Sequence, residues 1–414
     1  MTATDRRQFP ALSRKPGDDH MTEIRIEREI RLPDDLRTAR ARSAPHLGPR
    51  VLFFSGGSAL NGISRQLKHY TYNSIHLITP FDSGGSSQIL REVFDMPAVG
   101  DLRSRLMALA DESVLGQPDI YALFSHRLSR SAPQAELRAE LDAMIGGRHP
   151  LMAAVTKPMR GLIQARLRSF AAQVPDGFDY RNASIGNLIL AGGYLDEGRA
   201  LEPVLFLMTK MVDVRGTVRA VVDANLQLGV DLADGRRILS QRLISGKEAP
   251  PIDSPVTRCF LSDGSQEITP AQVPLPKRNR RLIDRSDVIC YPPGSLYSSV
   301  VANLLPAGVG RAIAARHVPK VYLPSLGRDP EAPGQSLADR VAAILAPLHA
   351  DIREEVPARR LMTHVLCDSS VSPSDCAEVT ERFGIPCHRL PLQKAAEPDR
   401  YDAQAVAEAL ISLA

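Results

Sequence analysis

A continuous apolar run that ends in small residues and passes straight into helical spacing, "VLFFSGGSALNGISRQLKHY", limits the folds open to this chain. Val51 to Ser55 show no polar alternation, so the strand they predict is buried on both faces. Leu60, Ile63 and Leu67 then recur at the spacing of one helix face. The same unit returns. "NSIHLIT" reads as a second strand, and "DVICYPPGSLYSSVVANLL" as strand, loop and helix. "PKVYLPSL" precedes the helical "SLADRVAAILAPL", "LMTHVLC" precedes "SDCAEVTERFG", and "CHRLPL" precedes "DAQAVAEALISLA". Strands that alternate with helices pair in parallel, because each crossover carries the chain back to its starting edge. The expected fold class is α/β: a mostly parallel sheet covered by helices on both faces, in three layers.

Two regions depart from this rhythm. Residues 118–176 carry no strand signal, and "APQAELRAELDAMIGG" and "PLMAAVTKPMRGLIQARLRSFAAQV" are amphipathic. They predict a helical insertion over 118–180, a candidate lid. "SIGNLILAGGYL" and "LEPVLFLMTKMVDV" also read as helices, and "LQLGVDLADGRRILSQRLI" as a hairpin about Asp234-Gly235. Residues 1–45 are charged and poor in bulky apolar side chains, which predicts a flexible N-terminal extension before a domain at 46–414. Within that extension "MTEIRIEREIRLP" alternates like an edge strand, and "PDDLRTARARSA" suits a short helix.

Charge narrows the partners. Lys and Arg number 51 against 47 Asp and Glu, a net +4, too mild for a nucleic-acid footprint. "PKRNRR" reads as a solvated face, with a grip on phosphates as the alternative. No run approaches the roughly 18–20 apolar residues of a membrane span. Five cysteines, an odd number, without a signal peptide predict reduced thiols and a cytoplasmic location. His364, Cys367, Cys376, Cys387 and His388 have no tight Cys-x-x-Cys pair, and their spacing argues against zinc.

Ligands in such sheets sit beyond the carboxyl ends of the strands. In "SGGSALNG", Gly56 and Gly57 allow a sharp turn and close approach, and Ser58 and Asn61 add donors; the helix start that follows favours a phosphate. The bland alternative is a tight strand-to-helix turn. In "DSGGSS", Asp82 is either a Mg²⁺ ligand, a partner for a ribose or acceptor hydroxyl, or a turn residue. Ser83, Gly84 and Gly85 continue that loop, and Ser86 and Ser87 open a helix and suit an anion. Arg91 lies one helical turn beyond, to neutralise charge or to face solvent. Gly186 and Asn187 precede an apolar helix, where a buried Asn reads a base edge or a sugar, or else makes a helix contact. Gly294 and Ser295 stand where a helix start offers free amides.

These four segments, in this order over residues 50–345, resemble the CofD/YvcK family. The carriers are "DSGGSSQILREVFDMPAVGDLRSRLMALAD", "FDYRNASIGNLILAG" and "SDVICYPPGSLYSSVVANLLPAGVGRAI". The resemblance implies a Rossmann-like fold with a helical subdomain. It also implies either transfer of a phospholactyl group from a nucleotide-diphosphate-linked donor with Mg²⁺, or UDP-sugar binding in a regulator without catalysis. Carried over, Gly56, Gly57 and Ser58 would contact the diphosphate, and Asp82 would stand at the metal or acceptor position. Asn187 would read the nucleotide, and Gly294 and Ser295 would close the pocket. The family's paired aspartates are Asp82-Ser83 here, so one carboxylate of that pair is absent. A homo-oligomer is compatible with the sequence.

Overall fold

The computed structural model describes residues 29–82, 84–112, 117–246 and 250–414. Its centre is the strand β1 (Val51–Ser55), buried at every position as the unbroken apolar run predicts. Leu52 and Phe54 pack into one core, and Val51 and Phe53 into another on the opposite face. Period two in the strand thus feeds two layers at once. β2 (Ile75–Ile78) and β3 (Thr217–Ala220) lie on one side of β1. β4 (Gln227–Leu232), β5 (Arg237–Ile238), β6 (Val256–Ser262) and β7 (Glu267–Ile268) leave to form a separate antiparallel sheet. The chain then returns to the other side of β1 with β8 (Val288–Tyr291), β9 (Lys320–Tyr322), β10 (His364–Asp368) and β11 (Cys387–Leu390). The sheet order is β11-β10-β9-β8-β1-β2-β3, every pair parallel. Strand order therefore reverses between β1 and β8, and their carboxyl ends flank the crevice where ligands bind such sheets.

The Asp234-Gly235 hairpin forms as expected, with Val230 opposite Ile238. β3, β6 and β7 carry little sequence signal. β3 is a sheet edge with only Val218 buried, and its pattern is set by pairing with β2.

The expected insertion at 118–180 sits inside a longer helical excursion between β2 and β3, from Gly85 to Met211, with a core of its own. Helix Met159–Gln173 crosses helix Ile185–Asp196 at Gly192, where a Cβ would lie 1.9 Å from the Arg166 carbonyl oxygen. That contact explains Gly192, and a Cβ on Gly193 would stand 2.7 Å from Val204 Cγ1.

Residues 1–28, and with them most of the expected edge strand, lie outside the described residues. Within the segment predicted as an extension, Asp34 caps helix Asp35–Ser43. The Asp34 amide donates to Ser412 Oγ at 2.8 Å, and Arg37 donates to the Ser412 carbonyl at 2.9 Å. From Asp34 onward the segment is docked on the C-terminal helix Ala403–Ser412 and is part of the body.

Candidate functional site

The loop after β1 needs its glycines. A Cβ on Gly56 would stand 2.7 Å from Thr79 Cγ2 and 3.0 Å from Ser299 Oγ, and Gly57 has φ +27°. The loop's carbonyls are tied from below. Arg105, in helix Gly100–Leu109, is fully buried and donates to the carbonyls of Gly56 and Gly57, each at 3.2 Å, and to Ser64 Oγ. Burial pulls its guanidinium down to about 9, which leaves it charged at neutral pH. From the same helix, Asp101 Oδ2 accepts the Gly57 amide at 2.6 Å. The amide assigned to a phosphate is thus already held by a carboxylate. Asn61 donates to Ser104 Oγ at 2.8 Å and fastens the two helices together.

Above this loop lies a cavity of about 380 Å³. Of the predicted residues, Gly57, Ser58, Asp82, Gly84 and Gly85 line it, as do Ser86, Ser87 and Asn187. Ser83 lies outside the described residues. Asp82 Oδ1 accepts the Gly84 amide at 3.2 Å, the turn contact that sequence allowed, and its side chain still borders the cavity. Arg91 neither lines this cavity nor faces solvent. It is buried and donates to the carbonyls of Phe81, Asp82 and Leu226, bracing the loop. Asn187 is 1% exposed. Its Nδ2 donates to Ser86 Oγ at 3.0 Å, while its Oδ1 is buried without a partner. Gly56 and Gly186 are supports. A Cβ on Gly186 would strike Arg103 Cδ and the Phe124 carbonyl at 2.7 Å.

Four charged lining residues escaped the sequence as site residues. Asp101 lies in the first turn of its helix and brings a second carboxylate to the cavity. Arg103, Arg127 and Arg130 face the same space. Arg103 Nη1 donates to the Phe124 carbonyl at 3.3 Å, and its buried Nε has no partner; burial lowers it to about 10. Arg127 and Arg130 both donate to Asn182, at 3.0 and 3.4 Å. Three guanidiniums against two carboxylates favour an anion.

The loop after β8 corrects an expectation. The amides beside Gly294 and Ser295 are not free. Gly294 N donates to Ser325 Oγ at 2.9 Å, and Leu296 N to Asp329 Oδ2 at 2.8 Å. The amides of Tyr297 and Ser298 donate to Glu331 Oε2 at 3.0 and 2.8 Å. A helix start leaves unpaired donors, and here the strap "LPSLGRDPEAPGQS" fills them with its own carboxylates. Gly294 and Ser295 instead border a neighbouring cavity of about 880 Å³, which shares Ser58 with the first.

Glu331 is fully buried, and burial with Asp329 nearby raises its carboxyl from the ordinary 4.5 to about 7. A raised folded value means the folded state holds this proton more tightly than the unfolded chain. Stability is therefore retained below pH 4.5 and declines as pH rises from there through about 7. At about 1.4 kcal/mol per pKa unit the loss is about 3 kcal/mol. Urea unfolding of the protein and of Glu331→Gln across this window should show the difference between them changing with pH. A constant difference would refute the titration.

The parallel sheet, its reversal between β1 and β8 and the loops gathered there define an α/β protein with a Rossmann-like fold. A family model for the 2-phospho-L-lactate transferase CofD matches residues 51–412, and the chain belongs to that family. Among relatives, the gluconeogenesis factor of Bacillus subtilis is 28% identical over 298 residues, covering 72% of this chain and 74% of that protein. A putative gluconeogenesis factor from Nostoc is also 28% identical, over 72% of this chain; the chain spans about half, 52%, of that relative's length. The crystal structure of a UPF0052-family protein from Bacillus halodurans superposes with a TM-score of 0.64 at 23% identity, covering 88% of this chain and 99% of that one. That likeness concerns the fold. Among the described residues, no helix is long and apolar enough to cross a membrane.

Proposed function

We propose that the cavity at the β1/β2 loops binds the diphosphate of a nucleotide-linked donor and that the chain is a CofD-like transferase. The observation that carries this reading is the meeting of Asp82 and Asp101 with Arg103, Arg127 and Arg130 in one small polar cavity. The guanidiniums hold the diphosphate and offset the charge that grows on the leaving phosphate. Asp82 orients the acceptor hydroxyl and takes up its proton. Asp101 stands in for the carboxylate missing after Asp82, from a different segment. Two carboxylates beside a phosphate site suit Mg²⁺, a hard ion that takes oxygen ligands. Asp82 and Asp101 are the residues to hold it, and when bound it would neutralise phosphate charge.

The second reading is a nucleotide-sugar-binding regulator without turnover, supported by relatives named gluconeogenesis factors. Thermal shift with UDP-sugars, GDP, GTP and lactyl-type diphosphates, with and without Mg²⁺, separates the two. Stabilisation of about 2.7 kcal/mol is expected at a hundredfold excess over Kd. The transferase requires Mg²⁺-dependent release of the nucleotide once an acceptor is added. Tight Mg²⁺-independent UDP-sugar binding with no product would establish the regulator instead.

A further inference from the structure

β10 and β11 form the edge of the large sheet farthest from the β1/β2 loops. Cys387 pairs in register with Val365, two residues from Cys367, so both cysteines point to one face of the sheet. Helix Pro373–Phe383 covers that face and lowers Cys376 onto them. The three sulfurs lie within 4.8 Å of one another. Cys367 and Cys376 are buried, and Cys387 is partly exposed. His364 and His388, on the same two strands, point to the other face and meet each other at 3.1 Å. The five-residue set considered from sequence thus separates into a histidine pair and a trio of thiols.

We propose that this trio is a site for a soft, thiophilic metal ion, copper(I), held by three sulfurs. Metal–sulfur bonds of about 2.3 Å place the sulfurs of a trigonal plane about 4 Å apart, so small side-chain shifts close the site. Among the described residues no His, Asp or Glu completes a fourth position. Zinc takes four ligands in buried structural sites, whereas soft thiolates select copper(I). Each thiol that binds as thiolate gives its proton to water, and no electron is transferred.

The test is an anaerobic titration of the reduced full chain with copper(I) against a chromogenic copper(I) chelator. One equivalent should be withheld from the chelator. Cys376→Ser and Cys387→Ser should lose that equivalent, and Cys259→Ser should keep it. Failure of the unaltered chain to withhold copper(I), or full retention by Cys376→Ser, overturns the site. Binding of zinc(II) in preference to copper(I) overturns the assignment of the ion. A readout that needs no variant is alkylation followed by peptide mass spectrometry. Cys387 and Cys259 are both partly exposed, and copper(I) should slow labelling of Cys387 alone. Equal labelling of Cys387 with and without copper(I) also refutes the proposal.

Discussion

Asp82→Asn is expected to lower turnover by about 10²–10⁴-fold, the range for loss of a positioned proton acceptor, while nucleotide affinity changes only a few-fold. The expectation rests on what holds Asp82. Its Oδ1 is engaged by the Gly84 amide, a bond an asparagine oxygen can also accept, so the loop should keep its shape. What the substitution removes is the charge and the basic oxygen. Product formation and nucleotide Kd, measured on the same preparation, check the split. Unchanged turnover would remove Asp82 from the chemistry. Equal losses in Kd and turnover would make it a binding residue instead.

The second large effect concerns stability. Arg105→Ala should cost about 3–5 kcal/mol, the range for breaking a buried charged network. Three acceptors lose their donor at once: the carbonyls of Gly56 and Gly57, and Ser64 Oγ. Each buried polar group left unpaired costs about 1–3 kcal/mol, and the truncated side chain leaves a void. Arg105→Lys keeps the charge but lacks the fork that reaches two carbonyls, so it should recover only part of the loss. Urea unfolding midpoints read both variants. A midpoint for Arg105→Ala within error of the parent would show that the loop is held by other means.

The site was only partly legible in the sequence. Gly56, Gly57 and Ser58 were readable because a buried strand followed by a helix is a local pattern, as was the acidic loop at Asp82. Asp101 and the carboxylates Asp329 and Glu331 were not. Asp101 reaches the Gly57 amide across 44 residues, and Glu331 reaches Tyr297 and Ser298 across 34 and 33. A carboxylate in sequence looks the same whether it faces water or caps a distant helix. Arg103 sits in a helix whose periodicity reports a buried face, not what borders the other one, and Arg127 and Arg130 lie in the connection after helix Pro118–Ser125, where no period exists to read. Arg91 illustrates the converse: its place one turn into a helix left ligand charge and solvent as the alternatives, yet it is spent on backbone carbonyls and the Asn225 side chain.

From local chemistry alone came the α/β class, the order of strand–helix units, the hairpin at Asp234-Gly235 and the two glycine loops, because apolar periodicity and turn residues act over a few neighbours. Only the folded chain decided that β8 returns beside β1, that the helical excursion supplies the arginines, and that the amides after β8 are already filled. Those outcomes depend on which surfaces are buried together, a property of the three packed cores that no short stretch of residues contains.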